Sequence, residues 1–111
     1  MIFRVIIASE KSDDIIFIDK KLSGEYRINY VYERPSGKIS GGGLNTRTLT
    51  DLDQVIQYME DVCDLIELDD TPPVSIHIHS DTYPNTVIMR KNLRNARGTI
   101  LRILRNMFGG V

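Results

Sequence analysis

The chain has 111 residues, of which 41% are hydrophobic and 26% charged. This balance excludes a disordered chain, which would bury too little apolar surface to fold, and the length fits one domain spanning residues 1–111. The net charge of −1 hides an asymmetry: residues 51–70 carry eight acidic and no basic side chains, whereas residues 71–111 carry six basic and one acidic. The charged surfaces are therefore the first candidates for function.

The first half of the chain is predicted to form strands. Ile2–Ala8 and Ile15–Lys20 are short runs rich in β-branched residues, and a polar turn separates them. Glu25–Glu33 alternates between apolar and polar residues, as a half-buried strand does. The following PSGK turn predicts a hairpin to a fourth strand near Lys38, which the glycines at 41–43 would weaken or bulge.

A first helix is predicted after Thr50, which is a good N-cap residue with Asp53 three positions later. Apolar residues recur at helical spacing as far as Ile66, and the TPP sequence at 71–73 ends the helix. Cys63 lies within this apolar stripe and has no basic neighbour in sequence, so we expect a buried, unreactive thiol.

The remaining segment predicts a strand at Val74–Ser80 and a last helix from about Asn92 to Phe108, ending at Gly109. Residues 86–91 form either another strand or a direct lead into that helix. The order β-β-β-β-α-β-(β)-α predicts an α+β fold: a mostly antiparallel sheet of four to six strands with both helices packed on one face.

The segment from Arg90 to Gly110 contains no acidic residue. Its cations, predicted to bind nucleic acid, are Arg90, Lys91, Arg94, Arg97, Arg102 and Arg105. Arginine binds phosphate in bidentate geometry, and neutral side chains such as Asn95, Thr99 and Asn106 contact phosphate and sugar. We therefore predict non-specific contact with a nucleic-acid backbone, DNA or RNA. The alternatives are a solvated flank or pairing with the acidic helix of the same chain.

A second hypothesis is a protein–protein interaction or structural assembly module that works through the acidic first helix. Tyr58 and Leu65 lie seven residues apart and off the apolar stripe, so they predict a small exposed self-interface. Either residue would instead be satisfied by packing under a loop. We expect a homo-oligomer, with a two-fold dimer as the default.

The stretch HIHSD, from His77 to Asp81, places two histidines on one side of a strand, as some zinc ligands are placed. It resembles the opening of the metallo-β-lactamase motif H-x-H-x-D-H. Thr82 stands where that motif requires its last histidine, and the chain has no other histidine. We therefore predict no metal site, and a metal-dependent hydrolase is the least favoured of three functions.

The glycines at 41–43 are not set in a phosphate-binding pattern. The sequence contains no other catalytic or cofactor motif. We expect a non-enzymatic protein without a cofactor. The opening MIFRVIIASEK lacks the features of a secretory signal, and no run approaches the roughly 18 apolar residues of a membrane span. One cysteine forms no intrachain disulfide. These features predict an intracellular protein of a reducing compartment, which includes cytoplasm, nucleus and virion interior.

Overall fold

The structure is a computed structural model that describes residues 1–10, 13–34, 41–67, 73–82, 85–89 and 95–109. Six strands and two helices follow one another along the chain. The strands are β1 (Ile2–Ala8), β2 (Asp13–Lys20), β3 (Tyr26–Arg34), β4 (Gly41–Leu49), β5 (Ser75–Ser80) and β6 (Thr86–Met89). The helices are α1 (Leu52–Glu67), between β4 and β5, and α2 (Ala96–Phe108), after β6.

All six strands form one sheet in the order β4-β3-β2-β1-β5-β6. Every neighbouring pair is antiparallel. The first four strands make a meander, and α1 then carries the chain from the β4 edge to β5, on the far side of β1. The predicted α+β fold and its element order are confirmed, and residues 86–89 form a strand.

The sheet buries one face because alternate side chains point to the same side. On β1 these are Phe3, Val5 and Ile7, and β2 and β3 continue the same layer with partners such as Ile16 and Ile28. Both helices supply the other half of the core cluster. The molecule measures 39 × 27 × 19 Å along its principal axes, as two packed layers require.

The cap of α1 lies one residue later than predicted. Asp51 Oδ1 accepts a hydrogen bond from the Gln54 backbone N–H at 2.9 Å, which is the N-cap geometry. The Gln54 side chain reaches back past the cap and accepts from the Thr50 backbone N–H at 3.0 Å, in a variant of the capping box that is shifted by one residue. Thr50 is therefore the residue before the cap, and Asp53 lies within the first turn.

The last helix begins at Ala96 in the structure, and the predicted first turn at 92–94 lies outside the described residues. Asn95 occupies the N-cap position without a side-chain capping bond. At the other end, the Gly109 N–H donates to the Arg105 carbonyl oxygen at 2.7 Å. In the part of the chain described here, no helix is long and apolar enough to cross a membrane.

Candidate functional site

The solvent face of α2 carries two of the predicted phosphate-binding arginines. Arg102 and Arg105 are both exposed, and they lie three positions apart, so their side chains share one face of the helix. No acidic residue occurs between Ala96 and Phe108. Within the described residues, neither guanidinium forms an ion pair or a side-chain hydrogen bond. These two groups are therefore available to an external anion.

Three of the other predicted cations, Arg90, Lys91 and Arg94, lie outside the described residues. Their prediction as nucleic-acid contacts stays a prediction. The neutral groups on α2 divide in two. Asn106 is exposed, whereas the Thr99 hydroxyl donates to the Asn95 carbonyl oxygen at 3.2 Å, so this hydroxyl already has a partner within the chain.

Arg97 lies on the flank of α2 that faces α1. Its Nη2 donates to Asp64 Oδ1 at 2.6 Å, and the two side chains are 34% and 62% exposed. The helices run antiparallel, since Gly109 at the end of α2 lies beside Leu52 at the start of α1. Arg97 thus forms the intrachain pair with the acidic helix that the sequence analysis gave as an alternative to phosphate contact.

The outer surface of α1 is acidic. Asp53, Asp61 and Asp64 are exposed on it, and the Gln57 amide donates to Asp61 Oδ1 at 2.9 Å. Among the described residues, the exposed charges of α1 are therefore mainly acidic, and those of α2 are basic.

Tyr58, one of the two predicted self-interface residues, is partly buried against the core and has an intramolecular partner. The Arg47 guanidinium carbon lies 5.6 Å from the centroid of its ring, which is a cation–π distance. Burial raises the pKa of the Tyr58 hydroxyl, Arg47 opposes this effect, and Tyr32 adds to it. The side chain of Leu65 lies outside the described part of the structure, so the self-interface stays a prediction.

His77 and His79 lie two residues apart on β5, and both side chains point away from the helices. The rings of His77 and His79 are nearly parallel, with centroids 6.4 Å apart. His77 Nε2 lies 3.1 Å from the Ser75 hydroxyl, and Asp81 Oδ2 accepts from the Ile2 N–H at 3.1 Å. Among the described residues, no group of three or more His, Cys, Asp or Glu side chains is placed to hold a metal ion.

Comparison with protein families finds no matching family model, and comparison with curated proteins and with solved structures finds no significant match.

The sequence analysis did not predict one candidate surface, which is the face of the sheet opposite the helices. Its side chains include Ile6, Ile15 and Phe17, which are half-buried, and Val31 and Val87, which are exposed. The signal for it lies in the nearly continuous apolar runs of β1 and β2, since a strand with one solvated face normally alternates with polar residues. The apolar runs of β1 and β2 predicted strands, but the sequence analysis did not predict that these strands have apolar side chains on both faces.

Proposed function

We propose that this protein is a non-enzymatic binding protein that contacts nucleic acid through the phosphate backbone, with α2 as the contact surface. The observation that carries the proposal is the pair Arg102 and Arg105 on the solvent face of a helix with no acidic residue. Guanidinium groups donate two parallel hydrogen bonds to phosphate, and such contacts position a nucleic acid without reading its sequence.

The charge division of the helix layer supports one orientation for the ligand. The Arg97–Asp64 ion pair partly neutralises a carboxylate of α1 that contacts α2. A phosphate backbone would then follow the outer side of α2, past Arg102 and Arg105, and avoid Asp53 and Asp61 on α1. The surface is narrow, so we expect moderate affinity that depends strongly on salt concentration.

The test is fluorescence anisotropy with a labelled random-sequence duplex, and with a labelled single-stranded RNA, from low to physiological salt. The variant is Arg102→Ala/Arg105→Ala. If both arginines contact phosphate, the slope of log affinity against log salt should fall in magnitude by about 2, because each contact releases about one counterion. Binding of all sequences should weaken about equally.

The matched control is Lys20→Ala/Lys21→Ala, which removes the same charge at the last residue of β2 and at the residue that follows it. It should leave the salt slope unchanged. Equal losses in both variants would mean that the polyanion responds to overall charge, and α2 would not be the contact surface. The proposal is also overturned by absence of binding at low salt.

The alternative proposal is a protein-interaction module that works through the acidic surface of α1. The observation in its favour is Asp64, which already binds a guanidinium at 2.6 Å within the chain. A labelled oligo-arginine peptide should then bind the protein, and Asp53→Asn/Asp61→Asn should weaken this binding. The two proposals differ in the sign of the ligand charge, so the peptide and the duplex separate them.

A further inference from the structure

The face of the sheet opposite α1 and α2 carries no described helix, and we call it the helix-free face. Antiparallel sheets often leave one face to solvent, but such a face is then mostly polar. Here a row of five aligned side chains, which we call the apolar row, crosses five strands. Four of them are apolar, namely Val31 on β3, Ile15 on β2, Ile6 on β1 and Val87 on β6, and the fifth is His77 on β5. Val31 and Val87 are 46% and 53% exposed. An apolar row of this length on a surface marks a contact site.

The residues beside the apolar row are unevenly charged. On the β1 side stands Arg4, and its neighbour across the strands on β2 is Phe17. On β2 itself stand two carboxylates, Asp13 and Asp19. The half of the helix-free face that contains β1 and β5 therefore carries Arg4 and, after β5, Asp81, and the half that contains β2 and β3 carries Asp13, Asp19, Arg27 and the ring of Phe17. This pattern is complementary to itself.

We propose that the helix-free face binds a second copy of the same chain, face to face, about a two-fold axis parallel to the strands and midway between β1 and β2. That operation lays β1 of one copy over β2 of the other, and β5 over β3. In this arrangement Ile6 lies over Ile15 of the second copy, and each such contact occurs twice. Aligned sheets pack in this way in β-sandwiches, about 10 Å apart.

The polar contacts of the proposed interface follow from the same strand register. Arg4 lies over Phe17 of the second copy, where a cation–π contact forms, and Asp19 is two residues along that strand, on the same face. At the rim, Arg27 on β3 lies over the position of Asp81, which follows β5 and is bonded to Ile2. Asp19 Oδ1 also lies 3.8 Å from the N-terminal ammonium group of its own chain, and this cation compensates the charge of the Asp19 carboxylate.

The size of the face sets the strength of the dimer. Six strands about 4.8 Å apart and about seven residues long cover roughly 500 Å² per copy. Two copies would bury about 1,000 Å² in total, at the lower limit for a specific interface. We therefore expect a reversible dimer, in which the fraction of dimer rises with protein concentration.

The first experiment is sedimentation velocity across a wide concentration range, where the dimer has twice the chain mass of 12.7 kDa. Val31→Lys should raise the dissociation constant by about tenfold or more, because two valines leave the interface of each dimer. Val31 is exposed in the single chain, so this variant keeps the core intact. The matched control is Leu22→Lys, at a fully exposed position in the β2–β3 turn, and it should dissociate like the wild type.

The second experiment tests the axis through a charge exchange. Arg27 and Asp81 are separated within one chain by β2 and β1, so they interact only across the proposed interface. Arg27→Asp and Asp81→Arg should each weaken the dimer, since each places like charges opposite one another. The double variant should recover affinity relative to both single variants, because the exchanged pair attracts again.

Every outcome decides one part of the proposal. A wild-type protein that stays monomeric at all concentrations overturns it. A dimer that is insensitive to Val31→Lys uses another surface. A dimer that is weakened by Val31→Lys but not recovered in the charge-exchange double variant uses the helix-free face with a different axis, which also overturns the stated arrangement. Recovery in the double variant supports both the face and the axis.

Discussion

Arg97 and Asp64 join the two helices, with 2.6 Å between Nη2 and Oδ1. The pair lies where the C-terminal half of α1 passes the start of α2, so it connects the most acidic and the most basic segments of the chain. Both side chains keep contact with solvent, at 34% and 62% exposure. The contact therefore orients neighbouring charges more than it stabilises the fold.

A double-mutant cycle of Arg97→Ala and Asp64→Ala should yield a coupling free energy of about 0.2–1 kcal/mol, as for other exposed ion pairs. The value should decrease at high salt, because solvent-exposed charges are screened. Urea unfolding of the four proteins at two salt concentrations measures it. A coupling of several kcal/mol, unchanged by salt, would contradict an exposed pair.

The buried Asp14 carboxylate depends on a tyrosine. Asp14 is only 2% exposed, and its Oδ2 accepts from the Tyr30 hydroxyl at 3.2 Å. Tyr30→Phe should lower the free energy of unfolding by about 1–3 kcal/mol, because a buried acceptor loses a donor. Tyr26→Phe is the matched control. Tyr26 is also buried, and its hydroxyl forms no hydrogen bond within the described part of the chain, so we expect a change below about 0.5 kcal/mol. Equal losses in the two variants would contradict the role of the hydrogen bond.

Tyr58 should titrate above the ordinary tyrosine pKa of 10.0, because burial disfavours the phenolate. Its pKa is higher in the folded state than in the unfolded state. The associated stability is therefore fully present below pH 10.0, and it is lost as the pH rises through the folded pKa. Arg47→Gln should raise the pKa of Tyr58 further, since the guanidinium that lowers it is removed.

Ultraviolet absorbance at alkaline pH follows tyrosinate formation in this titration. The chain has five tyrosines, so the Tyr58→Phe variant identifies the signal of Tyr58 by subtraction. A pKa of Tyr58 that falls in Arg47→Gln would contradict the cation–π arrangement.

Gly98, in the first turn of α2, and Gly109, at its C-cap, should change the free energy of unfolding in opposite directions when each is replaced by alanine. Nothing lies near the Cβ that Ala would add at Gly98, which is exposed within the helix. Gly98→Ala should therefore raise the free energy of unfolding by about 0.5–1 kcal/mol through helix propensity. At Gly109 the added Cβ would collide with the Arg105 carbonyl oxygen, so Gly109→Ala should destabilise the fold. Thermal unfolding of both variants checks the signs, and destabilisation by Gly98→Ala would place that residue in a crowded environment.

The secondary structure could be predicted from the sequence wherever the local pattern of apolar and polar residues is clear. The alternation in residues 25–33 predicted that Tyr26 and Tyr30 share one face of a strand, since a period of two is specific to strands, and the structure buries that face. The cap of α1 was wrong by one residue because Thr50 and Asp51 are both good cap residues. The choice between them depends on which side chain accepts a hydrogen bond from the Gln54 backbone N–H, and in the structure this is Asp51. Residues 86–89 were ambiguous because a strand of four residues has too few positions to show a period.

The candidate site was less predictable because it depends on how elements face one another. Arg97 and Arg102 lie five positions apart on one helix, and the sequence alone does not say which of them faces α1. Likewise, Arg47 and Tyr58 meet only because α1 packs beside β4. The helix-free face was missed for a similar reason, since its apolar row is assembled from five strands that the sequence separates by loops and a helix.

The proposed phosphate surface and the proposed dimer together predict that one dimer links two nucleic acids. Face-to-face packing of the sheets turns the helix layers outward, so Arg102 and Arg105 of the two copies lie on opposite sides. Each copy is 19 Å thick, and one duplex therefore cannot lie along both surfaces. Energy transfer between a donor-labelled and an acceptor-labelled duplex should appear when the wild-type protein is added. Val31→Lys should abolish the transfer while each duplex is still bound in the anisotropy experiment. Transfer that persists in the Val31→Lys variant would mean that the two nucleic acids are held by some other contact between copies.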